Sequence, residues 1–152
     1  MKKQFYAYLH THWDLEWYRD IEDFNLRFLD VFDIVLSELK NNKAPFFYLD
    51  GQVVALLYYL KIRQEKKEEI KELIRNKKLA IGPYFVSADS YLVNFCSMLK
   101  NLELGKKISA QFNQKTLSAM LVIFLEFLNL YLVLLSLILL IKQSFGEALI
   151  QN

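Results

Sequence analysis

The stretch His10-Thr11-His12-Trp13-Asp14 sets two imidazoles and a carboxylate at alternate positions of the chain. In an extended backbone successive side chains point to opposite faces, so His10, His12 and Asp14 would share one face. Imidazole nitrogen and carboxylate oxygen are donors that suit zinc, and a divalent cation held by them can grip substrate oxygens or activate water. The competing reading is that the three groups cap a strand through hydrogen bonds. The short apolar run before them and the added carboxylate favour the metal.

The elements that would hold this group follow from the pattern of apolar residues. Residues 5–9 read as a buried strand, which puts the two histidines and the aspartate directly at its C-terminal end. Active sites of parallel sheets and barrels collect at that end, where loops vary while strands hold side chains rigidly. Ile21, Phe24, Phe28, Val31, Phe32, Val35 and Leu39 recur at helical spacing behind Asp20, Glu22 and Asp23, anions that a helix N-terminus favours. Pro45 disfavours helix at Ala44, so this helix should stop near Asn41-Asn42. Residues 46–49 read as a second short buried strand, 53–60 and 65–76 as helices, and 79–86 as a third extended run around Gly82-Pro83. Strands alternating with helices predict an α/β fold: the first strands and helices of a partial parallel β/α barrel-like catalytic domain. With so few strands, Phe24, Phe28, Phe32 and Val35 are expected to be partly exposed.

The pattern changes near Gln111, which divides the chain into an α/β segment, residues 1–111, and an apolar helical tail, residues 112–152. Residues 117–141 are almost wholly apolar and rich in leucine, with Glu126 as their only charge. Their length suits a membrane span, although no basic cluster or aromatic belt marks the ends. The whole chain balances 19 Lys and Arg against 17 Asp and Glu, a net charge of +2, which gives no electrostatic case for nucleic acid. The Lys-rich run 61–78 interleaves Glu65, Glu68, Glu69 and Glu72, as a solvated helix face does. The single cysteine, Cys96, rules out an internal disulfide and suits a reducing compartment. The apolar run after Met1 is too short for the core of a secretory signal, so a cytoplasmic location is expected.

The run His10-Thr11-His12-Trp13-Asp14-Leu15-Glu16-Trp17-Tyr18 resembles the opening signature of glycoside hydrolase family 38, of the α-mannosidase and mannosylglycerate hydrolase type. Leu49-Asp50-Gly51-Gln52 resembles the Leu-Asp-Gly-Gln that follows the family's second strand. Lys78-Leu79-Ala80-Ile81-Gly82-Pro83-Tyr84 is similar to its Lys-Leu-x-Ile-Gly-Pro-Trp, and Asp89 with Leu92-Val93 and Lys100-Asn101-Leu102 to its next helix. These ordered matches cover residues 4–111. The resemblance implies zinc bound by His12 and Asp14 with His10 supporting them, Trp17 as the platform under a sugar ring, a mannoside substrate, and retaining chemistry by two carboxylates. It assigns no role to Asp50 or Asp89, which read as cap or turn carboxylates. Other barrel metal hydrolases, of amidohydrolase or phosphoesterase type, also open with His-x-His after the first strand. They do not call for Trp13, Glu16-Trp17-Tyr18 or the later matches.

The chain also departs from the family pattern. Asn94-Phe95-Cys96 stand where the family keeps Ser-Gly-Glu, and Lys100 stands where it keeps Arg, although a point charge does not replace a planar fork. Cys96 is expected to be a buried, small apolar residue. The Asp-x-Phe-Gly motif that carries the family's nucleophile, also a zinc ligand, should follow soon after Gln111 and is not in the sequence. The acid/base aspartate and the last zinc-binding histidine belong further along than Asn152. Codons for residues 122–127, read one base earlier, can encode Cys-Asp-Ile-Phe-Gly-Ile, so a shifted frame is expected to account for the leucine-rich tail. The rival expectation is a small non-enzymatic protein anchored in a membrane through residues 117–141. The reading carried forward is a truncated α-mannosidase-like hydrolase with half a zinc site, neither catalytic carboxylate and no turnover.

Overall fold

A computed structural model describes residues 8–11, 13–88 and 92–114, all within the compact unit Met1–Met120. Residues 5–7, His12, Asp89 and the leucine-rich stretch 117–141 lie outside the described residues. The elements run β1 (Leu9–His10), α1 (Ile21–Lys40), β2 (Phe47–Tyr48), α2 (Val54–Ile62), a single 3-10 turn (Gln64–Lys66), α3 (Lys67–Arg75), β3 (Leu79–Ala80) and α4 (Phe95–Ala110). The three strands form one parallel sheet in the order β1-β2-β3. Leu9 is opposite Phe47 and His10 opposite Tyr48, while Phe47 and Tyr48 face Leu79 and Ala80.

Helix α1 begins where the acidic residues predict. The Asp20 carboxylate accepts the Asp23 backbone N–H at 2.9 Å, which satisfies one of the donors that a first turn leaves open. Arg19 pairs with Asp23 at 2.9 Å on the exposed side. Asp20→Ala is expected to cost about 1 kcal/mol of stability, the usual worth of such a cap. An unchanged urea midpoint in that variant would show that the cap does not hold the helix.

Both helices that return the chain to the sheet end in a left-handed residue. Asn42 has φ 57° after α1, and Lys77 has φ 57° after α3. Beyond each, a backbone N–H turns back to the last helical turn: Lys43 to the Glu38 carbonyl at 2.9 Å, and Lys78 to the Leu73 carbonyl at 2.9 Å. These sharp exits bring β2 and β3 into register within a few residues. The pairing is sealed by the Phe47 N–H to Lys78 carbonyl bond at 2.8 Å and the Leu49 N–H to Ala80 carbonyl bond at 2.9 Å.

The core lies between the sheet and α1, α2 and α3. Phe28 and Phe32 stack at 5.1 Å, and the Tyr59 ring meets Phe32 edge-on at 4.9 Å. The Tyr59 hydroxyl donates to Asp33 at 2.5 Å, and the Arg63 Nε donates to the other carboxylate oxygen at 3.3 Å. Burial first, and then the bond to Asp33, hold the Tyr59 phenol above the ordinary tyrosine range.

Three expectations need correction. Phe24, Phe28 and Phe32 are buried, because α2 and α3 cover that face; α1 instead exposes Leu26, Val31 and Ile34. The described end of the expected first strand is not buried: β1 is the edge strand of the described sheet, and Tyr8 and Leu9 are 52% and 54% exposed. Cys96 is exposed rather than buried, on the outward side of the first turn of α4 beside exposed Phe95. That face turns away from the contact through which α4 packs, made by Gly105, Ile108 and Ser109. No helix among the described residues is long and apolar enough to cross a membrane.

Candidate functional site

Because all three strands run in the same direction, their C-terminal ends open onto a single edge, where the three sequence motifs meet. β1 ends at His10. Two residues beyond β2, Asp50 (φ 33°) and Gly51 (φ 73°) turn through the left-handed region, which glycine enters freely and aspartate tolerates. This turn buries the Asp50 side chain completely and sets its Oδ1 3.5 Å from Nδ1 of His10. The Gly51 carbonyl accepts the Tyr84 N–H at 2.8 Å, and the Tyr48 hydroxyl donates to the Gly82 carbonyl at 3.1 Å. The loops after β2 and β3 are therefore fastened to each other by both backbone and side chain.

Gln52 fastens the loop after β1 to that assembly. Its amide nitrogen donates to the Trp13 carbonyl at 2.7 Å, and its amide oxygen accepts the Ser87 N–H at 3.5 Å, with the residue almost wholly buried. The Leu-Asp-Gly-Gln run thus has a physical reading residue by residue. Leu49 fills the core, Asp50 faces His10, Gly51 makes the turn, and Gln52 bridges two loops.

The loop that leaves β1 lines an open pocket of about 520 Å³ with the start of α1, using Trp13, Asp14, Trp17, Tyr18, Arg27 and Asp30 among others. Trp13 is half-buried, its ring edge-on to Phe24 and Phe28 at 6.3 and 5.2 Å, and its indole N–H has no acceptor among the described residues. Trp17 is 76% exposed, its ring edge-on to Tyr18 at 5.6 Å. Arg27 donates to the Tyr18 hydroxyl at 2.9 Å and fixes that ring against the helix.

Of the residues singled out in the sequence, Asp14 and Trp17 share this pocket, His10 faces Asp50 at the strand end, and His12 lies outside the described residues. Strand β1 ends at His10. The Thr11 N–H still reaches the Tyr48 carbonyl at 3.4 Å, but Gln52 then takes the Trp13 carbonyl and residues 15–19 form bends. Among the described residues no three His, Cys, Asp or Glu side chains converge as a metal cluster. Sequence reasoning undervalued Asp50 and Gln52; the available signal was their place directly after the second strand.

A family model described as "Glycosyl hydrolases family 38 N-terminal domain" matches residues 2–123. The chain belongs to glycoside hydrolase family 38. It is 36% identical over 117 residues to a putative mannosylglycerate hydrolase of Halalkalibacterium halodurans, an alignment that covers 76% of this chain and 13% of that protein. Among solved structures it is similar to an alpha-mannosidase from Enterococcus faecalis, with a TM-score of 0.66, 36% identity, and 69% of this chain against 12% of the other covered. A second family 38 protein from the same organism matches at a TM-score of 0.66 and 31% identity, over 74% of this chain and 13% of that one. The chain thus spans about an eighth of the length of these relatives. Family 38 members are generally zinc-dependent. His10 and Asp50, which face each other, and Asp14 in the pocket carry the nitrogen and oxygen donor types that suit that ion, but among the described residues they do not come together as one cluster.

Proposed function

We propose that this family 38 chain supplies the metal- and sugar-binding wall of an α-mannosidase-type site, the first part of a parallel β/α barrel-like catalytic domain. In this reading His12 and Asp14 ligate zinc, and Trp17 stacks beneath a mannoside ring. Zinc, when bound, would polarise and hold sugar hydroxyls. The observation that carries the reading is that Asp14 and the exposed Trp17 line one pocket beside the locked ends of three parallel strands. A large aromatic left open to solvent beside a carboxylate suits a pyranose, which presents an apolar face and a polar rim.

Two protein ligands hold zinc weakly, so calorimetry on the 152-residue chain should give a dissociation constant above about 1 µM. His12→Ala and Asp14→Ala should each weaken binding by roughly tenfold or more. Tighter binding that survives both substitutions would place the metal elsewhere and remove the assignment.

A further inference from the structure

We infer that Arg27 is a positioning residue for Trp17: it fixes the Tyr18 ring against α1, and that ring in turn sets the exposed indole as a wall of the pocket. The resemblance to the family assigns no role to Tyr18 or Arg27. The inference deepens the proposed function and rests on it only for the sugar that the indole would meet.

An indole that stands largely in solvent on a run of bends has little to hold it in one rotamer. A side chain that must be ordered when a ligand binds weakens the complex by roughly two- to tenfold. The Trp17 ring meets the Tyr18 ring edge-on at 5.6 Å, so whatever fixes Tyr18 restricts Trp17. Tyr18 is exposed as well, and α1 grips it from two positions one turn apart. Phe24 meets it edge-on at 5.2 Å. Arg27 donates from Nη1 to its hydroxyl at 2.9 Å, and the guanidinium carbon stands over the ring, 5.9 Å from its centre. A planar guanidinium lies over an aromatic ring and donates in the same pose, which a lysine's point charge does not reproduce. The backbone ties the bend to the same helix: the Trp17 N–H reaches the Arg19 carbonyl at 3.3 Å, and Asp20 then caps α1. Trp17, Tyr18 and Arg27 all line the pocket with Asp14, so the path from helix to hydroxyl to ring to indole ends at the proposed sugar wall.

The chain contains two tryptophans, so fluorotryptophan labelling of the full chain gives two fluorine resonances, and a Trp17→Phe variant assigns them. The neighbouring Tyr18 ring should displace the Trp17 resonance from that of free fluorotryptophan. Arg27→Met keeps a long stem but neither charge nor donors, and Tyr18→Phe keeps the ring but removes the acceptor. Each should reverse that displacement by about half or more, and because both break the same bond, combining them should move the resonance no further than Arg27→Met alone. Arg63→Met, which removes the Asp33 ion pair between α1 and the end of α2, should leave the resonance in place. A Trp17 resonance at the free value in the parent chain overturns the inference without any variant. So does an Arg27→Met resonance at the parent's position, a double variant in which the two effects add, or an equal response to Arg63→Met. These spectra use neither zinc nor sugar. A shared response to Arg27→Met and Tyr18→Phe in a chain that binds no methyl α-mannoside would keep the positioning and remove the sugar platform.

Discussion

Gly105→Ala is expected to destabilise the chain by about 2 kcal/mol, although alanine is the better helix former. Gly105 sits inside α4 where the helix lies directly on the strand-end loop. A Cβ built there overlaps the Pro83 carbonyl oxygen and the backbone of Tyr84 and Phe85. None of these atoms can rotate away, because the segment is pinned on every side. Tyr84 N–H is held by Gly51, and the Phe85 carbonyl accepts from Val53 and Val54 at 3.2 and 3.0 Å. The Asn101 side chain clasps Val86 through both its N–H, at 2.9 Å, and its carbonyl, at 2.8 Å. The helix must therefore move outward, and the Asn101 clasp and the packing of Ile108 move with it. The helical gain of replacing glycine by alanine is about 1 kcal/mol. Overpacking against fixed atoms costs about 1–3 kcal/mol and occasionally more. With three backbone atoms in the way the overlap term wins and sets the sign. Chemical denaturation of the two chains side by side measures it, and a variant as stable as the parent would mean that α4 does not rest on this loop.

The same contact shows why the site was only partly legible in the sequence. Helix α1 could be read closely, since its cap, its period and its end are local properties: Asp20 binds the Asp23 N–H, Phe28 and Phe32 recur on one face, and the chain turns at Asn42 ahead of Pro45. The shared face of the metal motif depends on strand alternation through Asp14. In the structure β1 ends at His10, and a residue 39 positions away, Gln52, takes the Trp13 carbonyl. No local pattern encodes such a pairing. The contact of Asp50 is hidden from the sequence for a related reason. A carboxylate in a turn ordinarily caps it, and only the parallel pairing of His10 with Tyr48 brings an imidazole to this one. Which apolar residues of α1 would be covered was also a tertiary matter. The period identified a stripe, but Tyr59 from α2 decided that Phe28 and Phe32 would be enclosed while Ile34 stayed exposed.

The 152-residue chain by itself is expected to hydrolyse aryl α-mannosides no faster than buffer does. Retention at the anomeric carbon needs one carboxylate to attack and a second to protonate the leaving oxygen and later activate water, the two about 5–5.5 Å apart. The resemblance implies that the nucleophile belongs to an Asp-x-Phe-Gly motif, and these 152 residues contain no such motif. Among the carboxylates the chain places at the site, Asp30 lines the pocket from α1, and the other two have other work. Asp50 is fully buried against His10, where it cannot reach an anomeric carbon, and Asp14 is proposed as a metal ligand. Sugar held on Trp17 and zinc would be bound but not attacked, so the shortfall against a complete site is on the order of 10⁶-fold or more in rate. Release of nitrophenolate from the purified chain with added zinc measures this directly. Saturable hydrolysis that disappears in Asp14→Asn would show that Asp14 serves as a nucleophile. That result would overturn the division of labour proposed for the strand-end site.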